Sequence, residues 1–274
     1  MADVVAPAPG LWRPALSLCK RELVRFLRQK HRIIGSLGTP ILFWAAIGAG
    51  MGRSFHAEGM PGGSSTSFIQ YFFPGTVLMI LLFTAIFSTI SIIEDRREGF
   101  LQSVLVAPIP RMAIVLGKIL GGTVLAFGQG LLFLLLAPLA GIHITLTGAL
   151  FACLMMFIIA FSLTALGFCI AWRMTSTQGF HAIMNLFLMP LWFLSGALFP
   201  AENAMGPVRW VMRLNPLSYG LEGIRRAIYF EPGSTWSQLA GCWGLLLISV
   251  VSALAMFFLA SKIASARTTA DLQA

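Results

Sequence analysis

ILGGTVLAFGQGLLFLLLAPLAGIHITLTGALFACLMMFIIAFSLTALGFCIAW, residues Ile119–Trp172, is a run of 54 residues without one Asp, Glu, Lys or Arg. A helix rises about 1.5 Å per residue and a bilayer core is about 30 Å thick, so one crossing takes about 20 residues. The run is too long for one crossing and suits two. Pro138, Gly141, His143 and Gly148 supply turn chemistry, which places the break between Pro138 and Thr147. Outward from this stretch, further charge-free runs cover Ile33–Gly52, Tyr71–Ile93, Phe180–Phe199 and Trp236–Ala260. The count is six spans. Alternating strands of about ten residues, the mark of a membrane barrel, are absent.

Composition agrees. The chain of 274 residues is 57% hydrophobic and 11% charged, with a mean hydropathy of +0.84. Soluble domains carry about 25% charged residues. Even a chain that buries roughly three quarters of its surface would lack the polar groups to cover the rest. A soluble domain, a disordered chain and a disulfide scaffold are all excluded. Cys19, Cys153, Cys169 and Cys242 lack CxxC spacing and read as small buried hydrophobes.

The charge is basic, Lys+Arg 19 against Asp+Glu 10. In a membrane chain this balance reflects the positive-inside rule rather than nucleic acid, which is not expected as a partner. With six spans, 14 of the 19 basic residues share the side of both termini, and Arg53, Arg209, Arg213, Arg225 and Arg226 face the other. Both termini are therefore expected in the cytoplasm, with the chain multi-pass in a plasma membrane (the bacterial inner membrane). Residues 1–32 hold no apolar core of a secretory signal. Residues 14–32 read instead as an amphipathic helix, with Leu16, Cys19, Leu23, Phe26 and Leu27 at helical spacing. Its cations, Lys20, Arg21, Arg25 and Arg28 among them, are expected to face lipid headgroups from the membrane plane. An Arg-rich transit segment is the alternative reading, disfavoured because the helix runs straight into the first span.

Catalytic and ligand motifs are scarce. GxxxxGK[ST], HExxH, GxSxG and clustered carboxylates are missing, so no catalytic residue, no bound cofactor and no metal site are assigned to this chain. His31, His56, His143 and His181 are scattered. Lys118 is the one charge inside a span, near its start, and is expected to snorkel outward. A polytopic membrane enzyme would need paired polar groups at one depth, and His181, Asn185 and Ser195 are too few and dispersed. An ATP-independent carrier would carry ionisable groups in mid-membrane. Both remain as alternatives.

The informative polar segments lie between the spans. Glu94-Asp95-Arg96-Arg97-Glu98-Gly99 follows the second run, then Phe100, Leu101, Val104 and Leu105, then Ala107-Pro108-Ile109-Pro110. One reading is a solvated, self-paired stop to the helix; the other is a docking element for a cytosolic partner. Exposed ion pairs contribute about 0–1 kcal/mol each, so single losses are expected to leave folding nearly unchanged. Residues 200–233 are too polar for a span and too apolar for a free loop. A short helix is expected over Pro207–Leu214, stopped by Asn215-Pro216. Leu217, Leu221, Ile224 and Ile228 then define the apolar face of a second helix, with Glu222 and Arg226 paired four apart. That face is expected in the outer leaflet or the seam of a dimer, with Arg225 and Arg226 turned toward water or lipid phosphates. Asn215, Pro216, Tyr219, Leu221, Ile224 and Arg225 are the candidate residues of an external gate.

The amphipathic helix, the six spans, Glu94–Gly99 with Ala107-Pro108-Ile109-Pro110-Arg111, and Leu214-Asn215-Pro216-Leu217-Ser218-Tyr219 ahead of Arg225 occur here in one order. In that order the chain resembles the permease subunits of ATP-binding-cassette exporters of ABC type 2 (ABC-2), and is nearest to the drug- and antibiotic-exporting ones. The resemblance implies an all-α polytopic membrane protein with an interface helix and short re-entrant helices entering from outside before the last span. It implies an exporter of an amphiphilic substrate (drug, lipid or glycolipid), built from two permeases, identical or homologous, and two separate ATPase subunits that hold ATP and Mg. It makes Glu94, Asp95, Arg96, Arg97, Glu98 and Gly99 part of the coupling element. The domain layout is a cytoplasmic segment 1–32, a transmembrane domain 33–260 with coupling segment 94–110 and external hairpin 200–233, and a cytoplasmic tail 261–274.

Overall fold

The computed structural model describes residues 10–51, 67–199, 204–230 and 236–266. Arg53, His56 and Arg267, the ends of the 200–233 hairpin and most of the 261–274 tail lie outside them. Eleven α-helices make up the described residues, and no strand occurs among them. They are α1 (Trp12–Arg28), α2 (Lys30–Met51), α3 (Phe68–Ser88), α4 (Ile90–Arg97), α5 (Phe100–Val106), α6 (Arg111–Leu134), α7 (Leu146–Ala171), α8 (Thr177–Trp192), α9 (Gly206–Leu214), α10 (Pro216–Ile228) and α11 (Trp236–Ser265). Among the described residues six segments are long and apolar enough to cross a membrane: α2, α3 with α4, α6, α7, α8 with the turn that follows it, and α11. The chain is a multi-pass membrane protein.

The break in the long apolar run falls where its turn residues lie. A short 3-10 turn covers Ala137–Ala140, and Gly141 closes it at φ +72°, a left-handed conformation that costs glycine nothing. Thr145 then caps α7, its Oγ1 accepting from Gly148 N at 3.2 Å. Ser67 and Gln70 form a reciprocal cap at the start of α3.

Helix α3 is the centre of the bundle, buried almost throughout, with α6 and α7 packed on it and α2 and α11 at the periphery. Leu42 on α2, Phe187 on α8, and Leu247 and Phe258 on α11 are exposed apolar side chains. In water such faces would aggregate; lipid tails or another apolar surface suit them.

Two boundaries differ from expectation for one reason. The first span begins at Lys30 rather than Ile33, and the helix after Ile93 runs on through Arg97. Charges end a buried helix only when they must reach water, and here Arg32, Glu94 and Asp95 find partners inside the fold.

Candidate functional site

Assembly of the inner end begins with two glycines. A Cβ at Gly117 would lie 2.7 Å from Ala15 O, and one at Gly121 would lie 2.7 Å from Glu22 Cβ. Only glycine lets α1 settle this closely on α6. Ala15, Leu18, Cys19, Glu22 and Phe26 of α1 are buried as a result. Of the apolar positions expected to share one face, Cys19 and Phe26 are buried and Leu23 half-buried, while Leu16 and Leu27 are exposed; Leu18 and Glu22, the sole acid between Arg13 and Arg32, go in instead.

Burial of Glu22 is balanced by Lys118, whose Nζ lies 2.5 Å from Glu22 Oε1 and also meets Asp95 Oδ2. Lys118 therefore does not snorkel outward, because two carboxylates hold it inside. Asp95 is fully buried and accepts from Arg21 at 2.8 and 3.0 Å and from Arg25 at 2.5 Å. Arg25 also meets Glu98 at 3.0 Å and Glu94 at 3.1 Å, and Arg32 meets Glu94 at 2.9 Å. Four cations and four carboxylates thus close one network across α1, α2, α4 with the turn after it, and α6. The Arg21 guanidinium also lies 3.6 Å over the Phe100 ring. Burial works against the charge on Arg21, but its hydrogen bond to Asp95 and the surrounding carboxylates outweigh that and raise its pKa.

The rest of the charge run serves α7. Arg96 donates to the carbonyls of Trp172 and Met174, and Arg97 Nε to Thr175 O at 3.0 Å, cations on the carbonyls at and beyond a helix C-terminus. Gly99, at φ +76°, turns the chain into α5. Of the six charge-run residues only Arg97 and Glu98 are exposed. The reading of a solvated, self-paired run is corrected: most of its charges are paired with residues on, or just beyond the end of, other helices. What projects is α5 and its exit, where Gln102, Ser103, Pro108 and the 86%-exposed Val106 face outward. Along α1, Arg21 and Arg25 point into the network, while Lys20 and Arg28 remain outside. Glu22, Arg32 and Lys118 were missed as partners. Their signals were one acid in a basic helix and one cation in an apolar span.

At the opposite end, α8 gives way to a π-turn over Phe193–Ala197, with Gly196 at φ +90°. Such a break frees carbonyls that must be bonded elsewhere. Asn215 Nδ2 donates to Leu191 O at 2.7 Å, Ser218 Oγ to Leu194 O at 3.3 Å, and Arg225 Nη2 to Gly196 O at 3.1 Å. Tyr71 OH donates to Gly196 O from α3 at 3.1 Å, and Trp192 Nε1 ties to Gly75 O at 2.9 Å. Asn215 also caps α10 through Oδ1 on Leu217 N at 3.0 Å, and Pro216 takes the first helical position. Tyr219 OH holds Arg213 O at 2.8 Å, pinning α10 to the end of α9.

Leu217, Leu221, Ile224 and Ile228 are buried, and Glu222 meets Arg226 at 2.8 Å. Two expectations change. The apolar face of α10 is buried within its own chain, on α7 and the turn after α8, because Gly220 and Gly223 admit Ile159 and Met155 to close approach. Arg225 does not face water: its side chain is 15% exposed and lies 4.8 Å over the Tyr71 ring. The rings of His181 and Phe87 lie 5.2 Å apart. Among the described residues no three His, Cys, Asp or Glu converge as metal ligands.

The family model described as ABC-2 type transporter matches residues 15–230. A transport permease named ycf38 from Cyanophora paradoxa is 24% identical over 85% of this chain and 79% of its own length. Nodulation protein J of Sinorhizobium fredii is 26% identical over 73% of this chain and 75% of its own. The protein of Escherichia coli K12 named as a probable multidrug ABC transporter permease, YbhR, is 28% identical over 67% of this chain and half of its own length.

Proposed function

The chain belongs to the ABC-2 type transporter family, and we propose that this transport permease carries an amphiphilic substrate outward under power from a separate ATPase. The observation that carries this reading is the division of labour at the inner end. A paired charge network ties α1 and the end of α4 to α6, and α5 beside it buries Leu101 while presenting Gln102, Ser103, Val106 and Pro108 of its outer face and two-proline exit. Prolines fix φ, so the exit is stiff. A push on α5 is then passed to the bundle rather than lost in a slack loop. Two ATPase copies, holding ATP and Mg, would each seat an α5, with Arg97 and Glu98 as its charged rim. The second permease copy, identical or homologous, would cover part of the exposed apolar faces. At the outer end the clamped break after α8 would serve as the gate, with Asn215, Pro216, Tyr219, Leu221, Ile224 and Arg225 holding it. The multidrug name of one relative and the low charge of the spans support an amphiphilic cargo.

The test is co-purification. A P-loop ATPase should follow the tagged chain from its native membrane, and Ser103→Arg with Val106→Asp should lose it while the permease stays folded. Retention of the ATPase and of transport by that variant would sink the proposal. In this reading both termini lie on the cytoplasmic side of a bacterial inner membrane, as the distribution of basic residues suggests. An impermeant thiol reagent on intact cells should label Met205→Cys and spare Glu98→Cys; the reverse pattern overturns the orientation.

A further inference from the structure

The network leaves part of the basic surface unused. Arg21, Arg25 and Arg32 are bound to carboxylates. Lys20, Arg28 and Lys30 are exposed and pair with no carboxylate among the described residues. They rim two open grooves where α1 hands over to α2, one of about 550 Å³ and one of about 520 Å³, with Arg28 and Gln29 common to both. Gln29 is the residue between the helices, and its Oε1 is buried without a hydrogen-bond donor. Beside the cations, Trp12, Leu16 and Leu27 stand 63%, 58% and 63% exposed on the same outward half of α1. At 100° per residue these apolar side chains fall within one sector of about 60°, with Lys20 next to Leu27 and Arg28 about 80° further round. The helix is thus amphipathic twice over, once toward α6 and once away from it.

Each part of this arrangement specifies a ligand property. Unpaired cations select a negative charge, and the apolar side chains alongside them select acyl chain. Arg28 and Lys30 flank the entry to a membrane span, which puts the grooves at headgroup level. We propose that the α1–α2 junction is a binding site for an anionic phospholipid headgroup. Lys20, Arg28 and Lys30 face the phosphate, and Trp12, Leu16 and Leu27 lie against the chains. The site stands apart from the ATPase-docking reading, since none of these residues belongs to the surface assigned there.

The full-length chain in detergent is titrated with palmitoyl-oleoyl phosphatidylglycerol or phosphatidylcholine and bound lipid is counted by native mass spectrometry. Phosphatidylglycerol should bind at lower concentration than phosphatidylcholine. A cation near a charged headgroup contributes about 1 kcal/mol, roughly fivefold in affinity. The Lys20→Gln/Arg28→Gln/Lys30→Gln variant should therefore bind phosphatidylglycerol roughly a hundredfold more weakly, while Lys20→Arg/Lys30→Arg keeps wild-type affinity. Excess inorganic phosphate should leave the lipid bound. Equal affinity of the triple variant overturns the site, and displacement by phosphate alone overturns the lipid assignment. Should the triple variant not fold, the wild type is labelled with a photoreactive phosphatidylglycerol; label within residues 12–31 supports the site, and label only elsewhere overturns it.

Discussion

Asp95 receives both terminal nitrogens of Arg21, at 2.8 and 3.0 Å, from a helix 74 positions earlier in the chain. Fork-to-fork geometry of this kind is stronger and more directional than a single contact. Because Asp95 also meets Arg25 and Lys118, one carboxylate joins α1 and α6 to the end of α4. Removing a member of a buried network leaves its partners charged and uncompensated, which costs more than the network itself contributes.

Asp95→Asn should therefore destabilise the chain by about 3–5 kcal/mol. Glu98→Gln, more than half exposed, should stay within about 1 kcal/mol. Thermal melts of the two purified variants check this, and equal melting temperatures would show that the network does not hold the inner end together.

Gly117→Ala should push α1 off α6, because the new methyl meets the backbone oxygen of Ala15 rather than a side chain that can move aside. A cost of about 1–3 kcal/mol is expected. Gly128→Ala is the control on the same helix; nothing lies within 4 Å of its Cβ, so it should be neutral or mildly stabilising. Equal melting temperatures in the two variants would show that the close approach of α1 at Gly117 does not matter to stability.

Asn215 has two jobs that substitutions can separate. Serine keeps a capping oxygen for α10 but is too short to reach Leu191 O, whereas alanine loses both. Asn215→Ser should leave α10 protected from hydrogen exchange while protection falls across residues 192–197. Asn215→Ala should add a capping loss of about 0.5–2 kcal/mol. Unchanged exchange at 192–197 in both variants would show that the turn holds itself.

Burial first, and the Glu22 charge second, push the Cys19 thiol up from its ordinary value. A raised pKa means less thiolate at neutral pH, and the thiolate is the reactive form. Alkylation of Cys19 by iodoacetamide in native membranes at pH 8 should be slow and should complete on denaturation. Fast labelling of the native chain would place α1 off α6.

The spans were legible because hydrocarbon imposes length and apolarity on every crossing, so charge-free runs and turn residues locate the helices within a few positions. The stripe of Leu217, Leu221, Ile224 and Ile228 was legible too, since a helical face is a local property. The partners of the charges were not. Glu94–Glu98 looked self-paired because neighbours in sequence are all that a sequence displays, while their actual partners lie on α1, on α2, on α6 and at and beyond the end of α7.

The amino-acid order by itself determined six apolar crossings, an amphipathic entry helix and a two-helix segment before the last span, since each follows from periodicity and composition within about 20 residues. Only the tertiary structure decided that Lys118 stays inside, that Arg225 turns onto Tyr71, and that Lys20 and Arg28 are left free where Arg21 and Arg25 are taken. The reason is physical: a charge goes where its opposite is brought, and what brings Asp95 to Arg21 is the close packing of α1 on Gly117 and Gly121, a contact between segments about 100 residues apart.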